Sequence, residues 1–252
     1  MDSWRSGPYD LTILKGDSES MATLAWWARS ITVLDTETTG VDTERDRIVS
    51  LAVIRVAPDG SVEPGSLACV IDPGVPVPPE AAAIHGITTE RARAEGWRPA
   101  EALGAAAALV ARCRDEGGPL TIFNAPFDWP LLSAECRRHG VALPAGVPLF
   151  DPLLVDRHCD RWRRGSRRLA DVARHYGVLL ADAHAADADA VAAAGVARAL
   201  VRAYADDLAG MSAAELHARQ AQWYSAWRDD LNAYWQRRGN PRRHTAQWPV
   251  GA

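Results

Sequence analysis

The chain has 252 residues, of which 48% are hydrophobic and 24% charged, and its formal net charge is −4. That length supports one substantial core plus terminal extensions, with the composition of an ordinary globular protein. The negative balance excludes a general polyanion binder, so any nucleic-acid contact must come from a local basic patch or from bound cations.

The four cysteines, Cys69, Cys113, Cys136 and Cys159, are widely spaced without a C-x-x-C pair. That argues against a zinc site or a disulfide framework. The opening MDSWRSGPYD lacks a basic stretch followed by an apolar one, and no apolar run approaches the ~18–20 residues that span a bilayer. A cytoplasmic location is expected. Lys15 is the only lysine among 28 basic residues. In so alanine-rich a chain, abundant arginine reads as coding bias and carries no function alone.

Residues 1–30 show little periodicity and read as an N-terminal extension whose Trp26 and Trp27 pack on the neighbouring domain. Apolar runs at Ile31–Leu34, Ile48–Val56 and Leu67–Ile71, with the turn Pro58-Asp59-Gly60 between the last two, predict a three-stranded meander. Helical signals come next: Pro78-Pro79 before a short helix to Ile84, then Pro99 opening a helix to about Glu116. Leu120–Phe123 reads as a fourth strand, and Asp128–His139 as a helix stopped by Gly140. Val147–Phe150 reads as a fifth strand, with helices near 151–158, 167–176 and 186–205. Strands first, then alternating strands and helices, predict an α/β domain with a mixed sheet over residues 31–205. Residues 206–252 form a C-terminal piece. Ser212-Ala213-Ala214-Glu215 is a capping box, and Gly239 with Pro241 closes a helix of about 25 residues. Beyond Pro241 a disordered tail is expected.

Three short segments carry the chemistry. Asp35-Thr36-Glu37 ends the first strand, where residues i and i+2 share a face. Two carboxylates so placed repel, and a cluster of hard oxygen ligands suits Mg²⁺ or Mn²⁺. Read alone, D-x-E is equally the solvated end of a strand. Phe123-Asn124-Ala125-Pro126-Phe127-Asp128 follows a strand and opens a helix, where a lone Asp128 would also serve as an N-cap. Asp182-Ala183-His184-Ala185-Ala186-Asp187-Ala188-Asp189 sets a histidine before a helix and an aspartate five residues later. A lone histidine there is more often a cap or a surface residue.

Together, and in this order, DTETTG, FNAPFD and HAADAD resemble the three motifs of the DnaQ-like DEDDh 3′→5′ exonuclease family. Ile84-His85-Gly86-Ile87-Thr88 resembles the family's I-H-G-I-T element. The resemblance covers residues 31–205 and implies a ribonuclease H-like fold, a mixed five-stranded sheet flanked by helices. It implies metal ligation of two Mg²⁺ or Mn²⁺ ions by Asp35, Glu37, Asp128 and Asp189, with His184 as general base. It also places Thr38, Val41, His85, Asn124 and Phe127 around the terminal nucleotide. Stepwise release of nucleoside 5′-monophosphates is implied as well, with DNA expected ahead of RNA. Two departures stand out: Phe123 occupies the place of a usual histidine, and Pro126 is unusual, though tolerable near a helix start.

Two further features bear on partners. Arg157, Arg161, Arg163, Arg164, Arg167 and Arg168 crowd one segment, either a nucleic-acid contact or a solvated arginine-rich loop. Trp223, Trp227, Leu231 and Trp235 recur at i, i+4, i+8 and i+12 and form one helical stripe. Docking on the chain's own domain is the leading reading. The others are a homodimer, a DNA polymerase contact, and stacking on single-stranded nucleic acid. A non-catalytic binding module is the rival to an enzyme, and the intact acidic set weighs against it.

Overall fold

The computed structural model describes residues 25–179 and 186–249, with backbone alone for 186 and 187. Five strands form one sheet: β1 (Ile31–Thr38), β2 (Ile48–Val56), β3 (Leu67–Val70), β4 (Leu120–Thr121) and β5 (Leu149–Phe150). Their order is β3-β2-β1-β4-β5. The first three pair antiparallel, while β1, β4 and β5 run parallel. A mixed five-stranded sheet is thus present, and β1 extends four residues beyond the expected apolar run to take in Asp35 and Glu37.

Nine helices accompany the sheet among the described residues: α1 (Pro79–His85), α2 (Thr89–Glu95), α3 (Pro99–Asp115), α4 (Ala125–Arg138), α5 (Pro152–Cys159), α6 (Leu169–His175), α7 (Ala186–Ala203), α8 (Ala205–Leu208) and α9 (Ala213–Arg237). The short α2 is absent from the sequence expectation; its seven residues hold no apolar stripe, and Thr88 starts it by accepting a hydrogen bond from Arg91 N. None of these helices is long and apolar enough to cross a membrane.

Strand alternation divides the core into two layers. On one face Leu34, Leu51 and Val53 pack against α3 and α4, through residues such as Leu103, Val110, Leu131 and Leu132. On the other, Ile31, Val33, Ala52 and Ile54 meet α7 through Ala190, Ala193, Ala194 and Ala197. The small alanine side chains let α7 lie close to the sheet. Gly195 tightens the same helix elsewhere: a Cβ there would stand 2.6 Å from Val178 Cγ1. Trp26 joins the α7 layer, its ring centroid 5.1 Å from that of Phe150.

The C-terminal helix covers the outer edge of β5. The capping box is formed, with Ser212 Oγ accepting from Glu215 N at 3.3 Å and Glu215 Oε2 accepting from Ser212 N at 2.9 Å. His217 Nδ1 accepts from Leu149 N at 3.0 Å, and Gln220 accepts from Asp151 N at 2.6 Å and donates to Leu149 O at 2.8 Å. A buried strand edge must satisfy its backbone groups, and side chains do so here. Trp223 and Trp227 of the stripe pack against the chain's own core. Trp223 stacks on His158 at 4.1 Å between centroids, and the Arg157 guanidinium lies 4.7 Å from the Trp227 centroid. Tyr224, outside the predicted row, is the buried aromatic of this helix.

The expectation of a disordered tail is corrected. His244 N donates to Asn232 Oδ1 at 2.7 Å, Asn232 Nδ2 donates to His244 O at 2.9 Å, and Trp248 is buried in the core. The arginine segment also differs from a free basic surface. Asp156, fully buried, accepts from Arg163 at 2.6 Å, from Arg167, and from the Tyr176 hydroxyl at 3.0 Å. Arg161 pairs with Asp230 at 2.5 Å, which leaves Arg164 and Arg168 as the exposed members without an ion-pair partner among the described residues.

Candidate metal centre

Three elements bring the acidic residues together. Odd-numbered residues of β1 face α7, so Asp35 and Glu37 follow Ile31 and Val33 to that side. Asp189 lies in the first turns of α7. One carboxylate oxygen from each of Asp35, Glu37 and Asp189 lies within 4.8 Å of the other two. Thr36, between the two acids, faces the opposite side and donates its hydroxyl to Asp128 Oδ1 at 2.6 Å.

Asp128 is buried in the first turn of α4 and is not its cap. Asn124 occupies the N-cap in the left-handed region at φ 72°, a conformation Asn tolerates better than most residues. Its N–H and that of Ala125 donate to the two carboxylate oxygens of Asp151, at 3.0 and 3.1 Å. Pro126 falls in the first turn, where no N–H is needed. Asp128 stands outside the 4.8 Å set but close enough for its charge to act on Asp35.

The electrostatics are those of crowded like charges. Burial first, then Asp128, Glu37 and Asp189, raise Asp35 well above the usual carboxylate range. Burial and the Asp189 charge push Glu37 up to about 7. Asp128 also rises to about 7, chiefly through burial, against the opposing hydrogen bond from Thr36. A cluster that gathers this much negative charge is compatible with a bound divalent cation, and an all-oxygen donor set suits Mg²⁺ or Mn²⁺.

The segment after β1 is held in place. Thr38 Oγ1 donates to Gly40 O at 2.6 Å, and Thr39 Oγ1 donates to Asp46 Oδ1 at 2.8 Å. A Cβ at Gly40 would lie 2.5 Å from Asp46 Oδ2, so a larger residue there would have to displace the Asp46 carboxylate to which Thr39 Oγ1 donates. Val41 projects from that loop with 86% exposure. His85 is buried at the end of α1, where burial lowers its pKa against a smaller opposite pull from the Thr38 backbone. Phe127 is half-buried in the first turn of α4, and the exposed Asn124 precedes it. His184 lies outside the described residues. Sequence reasoning missed Thr36 and Asp151. Strand alternation signals the first, and an aspartate before Pro152 at a strand end signals the second.

The sheet order and flanking helices are those of the ribonuclease H-like fold, here carrying an acidic centre where β1, α4 and α7 meet. The family model described as Exonuclease, of the RNase T type, matches residues 32–197, and the chain belongs to that family. A DNA polymerase III subunit epsilon-like protein of Rhodobacter capsulatus is 32% identical over 132 residues, 49% of this chain and 17% of that protein. A solved structure of exonuclease I matches with a TM-score of 0.59 at 25% identity, over 69% of this chain and 41% of its own. Exonuclease I of E. coli in complex with a dA16 oligonucleotide gives a TM-score of 0.57 at 24% identity, over 71% of this chain and 42% of that one. The chain thus spans less than half the length of each of these relatives.

Proposed function

We propose that the protein hydrolyses nucleic acid from a free 3′ end, with DNA ahead of RNA, and releases nucleoside 5′-monophosphates. The observation that carries this reading is the convergence of Asp35, Glu37 and Asp189 within 4.8 Å, with Asp128 behind them. These four carboxylates would hold two Mg²⁺ or Mn²⁺ ions. Bound there, such cations lower the pKa of an attacking water and stabilise the departing 3′ oxygen.

The chain's own groups do the rest. His184 is assigned as the base that takes the proton from the water, a task suited to an imidazole of pKa near about 6.5. Thr36 holds Asp128 in one rotamer by its 2.6 Å hydrogen bond. The exposed Val41 offers an apolar face to a terminal base, and neutral His85, Thr38, Asn124 and Phe127 are assigned to the same nucleotide pocket. The name of the epsilon-like relative raises a polymerase-associated role. The intramolecular packing of Trp223 and Trp227 supports a stand-alone enzyme instead.

The test is degradation of 5′-labelled single-stranded DNA, duplex DNA and short RNA by the isolated chain. A ladder that shortens from the 3′ end with Mg²⁺ or Mn²⁺, and stops in EDTA, is expected. Undiminished hydrolysis in EDTA would overturn the reading.

A further inference from the structure

The direction of α9 is set by its contacts with β5. His217 accepts from Leu149 N, and Gln220 takes Leu149 O and Asp151 N, so the helix and the strand advance in the same sense. Parallel pairing extends that sense to β1, with Leu149 level with Leu120 and Leu120 level with Thr32. Glu37 is five residues beyond Thr32, about 16 Å along the strand. Arg237 is twenty residues beyond His217, about 30 Å along the helix. The last turns of α9 therefore stand past the edge of the sheet that holds the carboxylates.

What they present there is basic. Arg237, Arg238, Arg242 and Arg243 are all exposed, and none forms an ion pair among the described residues. From Leu231 to Ala252 the sequence contains no acidic residue. The four arginines sit at a tip that is held shut, because His244 is bonded to Asn232 through two backbone contacts and to the Tyr224 hydroxyl at 2.7 Å. Tyr234, 48% exposed, carries the Arg238 guanidinium 5.4 Å from its ring centroid. Cationic groups beside an open aromatic ring are what a sequence-independent single-strand contact requires.

We propose that this tip is a second binding site, gripping the phosphate backbone of the strand whose 3′ end occupies the carboxylate centre. The proposal rests on the exonuclease reading, and its occupant is single-stranded polynucleotide. An acidic protein segment is the competing occupant.

The test replaces all four arginines by glutamine and, separately, uses Tyr234→Ala, each in the full chain. Binding of a labelled oligothymidylate of about 20 nucleotides is followed in EDTA across a salt series. Four lost phosphate contacts, at about 0.7 each for single strands, should flatten the slope of log K against log salt by about 2–3. Affinity should fall at least about tenfold, with less loss for Tyr234→Ala. Turnover of a dinucleotide, too short to reach the tip, should be unchanged. Unaltered oligonucleotide affinity and salt slope would overturn the proposal. So would equal losses on dinucleotide and oligonucleotide, or oligonucleotide binding kept while binding of a polyglutamate peptide is lost. Because the salt series is read without metal, that arm stands apart from whether hydrolysis is found.

Discussion

Replacing Gln220 by leucine should strip the edge of β5 of its partner while keeping the side chain's bulk. Gln220 is fully buried and serves Asp151 N at 2.6 Å and Leu149 O at 2.8 Å. The substitution leaves both backbone groups enclosed and unpaired, at about 1–3 kcal/mol each. The sum, about 2–6 kcal/mol, is a large fraction of a typical stability of about 5–15 kcal/mol. At about 2–4 °C per kcal/mol for a domain of this size, that corresponds to a melting temperature lower by about 4–24 °C. Thermal unfolding followed by circular dichroism reads the change. Arg219→Ala, on the exposed side of the same helix, is the control and should stay within about 0.5 kcal/mol of the parent. A Gln220→Leu protein that melts within about 2 °C of the parent would refute the reasoning, because water or a shifted helix would then be satisfying the strand.

Further outcomes concern the acidic centre and α7. Asp189→Ala should cost at least about 100-fold in turnover, given the several kcal/mol of charge stabilisation that a metal ligand set provides. Asp187→Ala, two residues earlier in the chain, should stay close to the parent, and the reverse ranking in a nuclease assay would show that the register is wrong. Asp35, Glu37 and Asp128 are raised in the folded state, so the folded protein binds protons more tightly than the unfolded chain. Their contribution to stability is complete below the unfolded carboxylate pKa of about 4 and is lost as pH rises through about 7. In EDTA the melting temperature should therefore fall between about pH 5 and 7, less steeply in Glu37→Gln, and Mg²⁺ should restore it. A flat profile in the parent would count against the crowded charges. Gly195→Ala drives a methyl to 2.6 Å from Val178 Cγ1 and should destabilise by about 1–3 kcal/mol in denaturant unfolding.

Much of the fold is legible in the sequence because period and position coincide. The meander, the paired acids of β1 and the capping box of α9 are local patterns, and the structure contains all three. Other features are not local. Asp128 looks like a cap because it precedes a run of helix formers, yet the helix starts earlier, at a left-handed Asn124 pinned by Asp151 from 27 residues away. The arginine segment looks like a basic surface because its buried counter-ion, Asp156, lies upstream on α5. The tail beyond Pro241 looks disordered because its partners, Asn232 and Tyr224, lie on a helix whose tryptophan stripe dominates the pattern. In each case a side chain outside the segment itself decides the outcome. Composition within a window carries no trace of it.

Asp151 shows how the edge helix and the acidic centre belong to one mechanical unit. Its N–H is taken by Gln220 of α9, while its carboxylate receives Asn124 N and Ala125 N as well as Leu153 N and Leu154 N. One residue thus caps α5, fixes the left-handed turn that starts α4, and is itself fixed by the C-terminal extension. Burial raises its pKa to about 6 against the pull of those N–H donors, and the Arg157 guanidinium opposes the rise. Arg157 in turn lies over Trp227 of α9. Asp128 sits three residues after Ala125 in the turn so defined, and Thr36 fixes its carboxylate from the other side. The position of one acidic residue of the centre therefore depends on contacts that begin at the outer edge of the sheet. A helix that reads as an appendage in the sequence is part of what shapes the site.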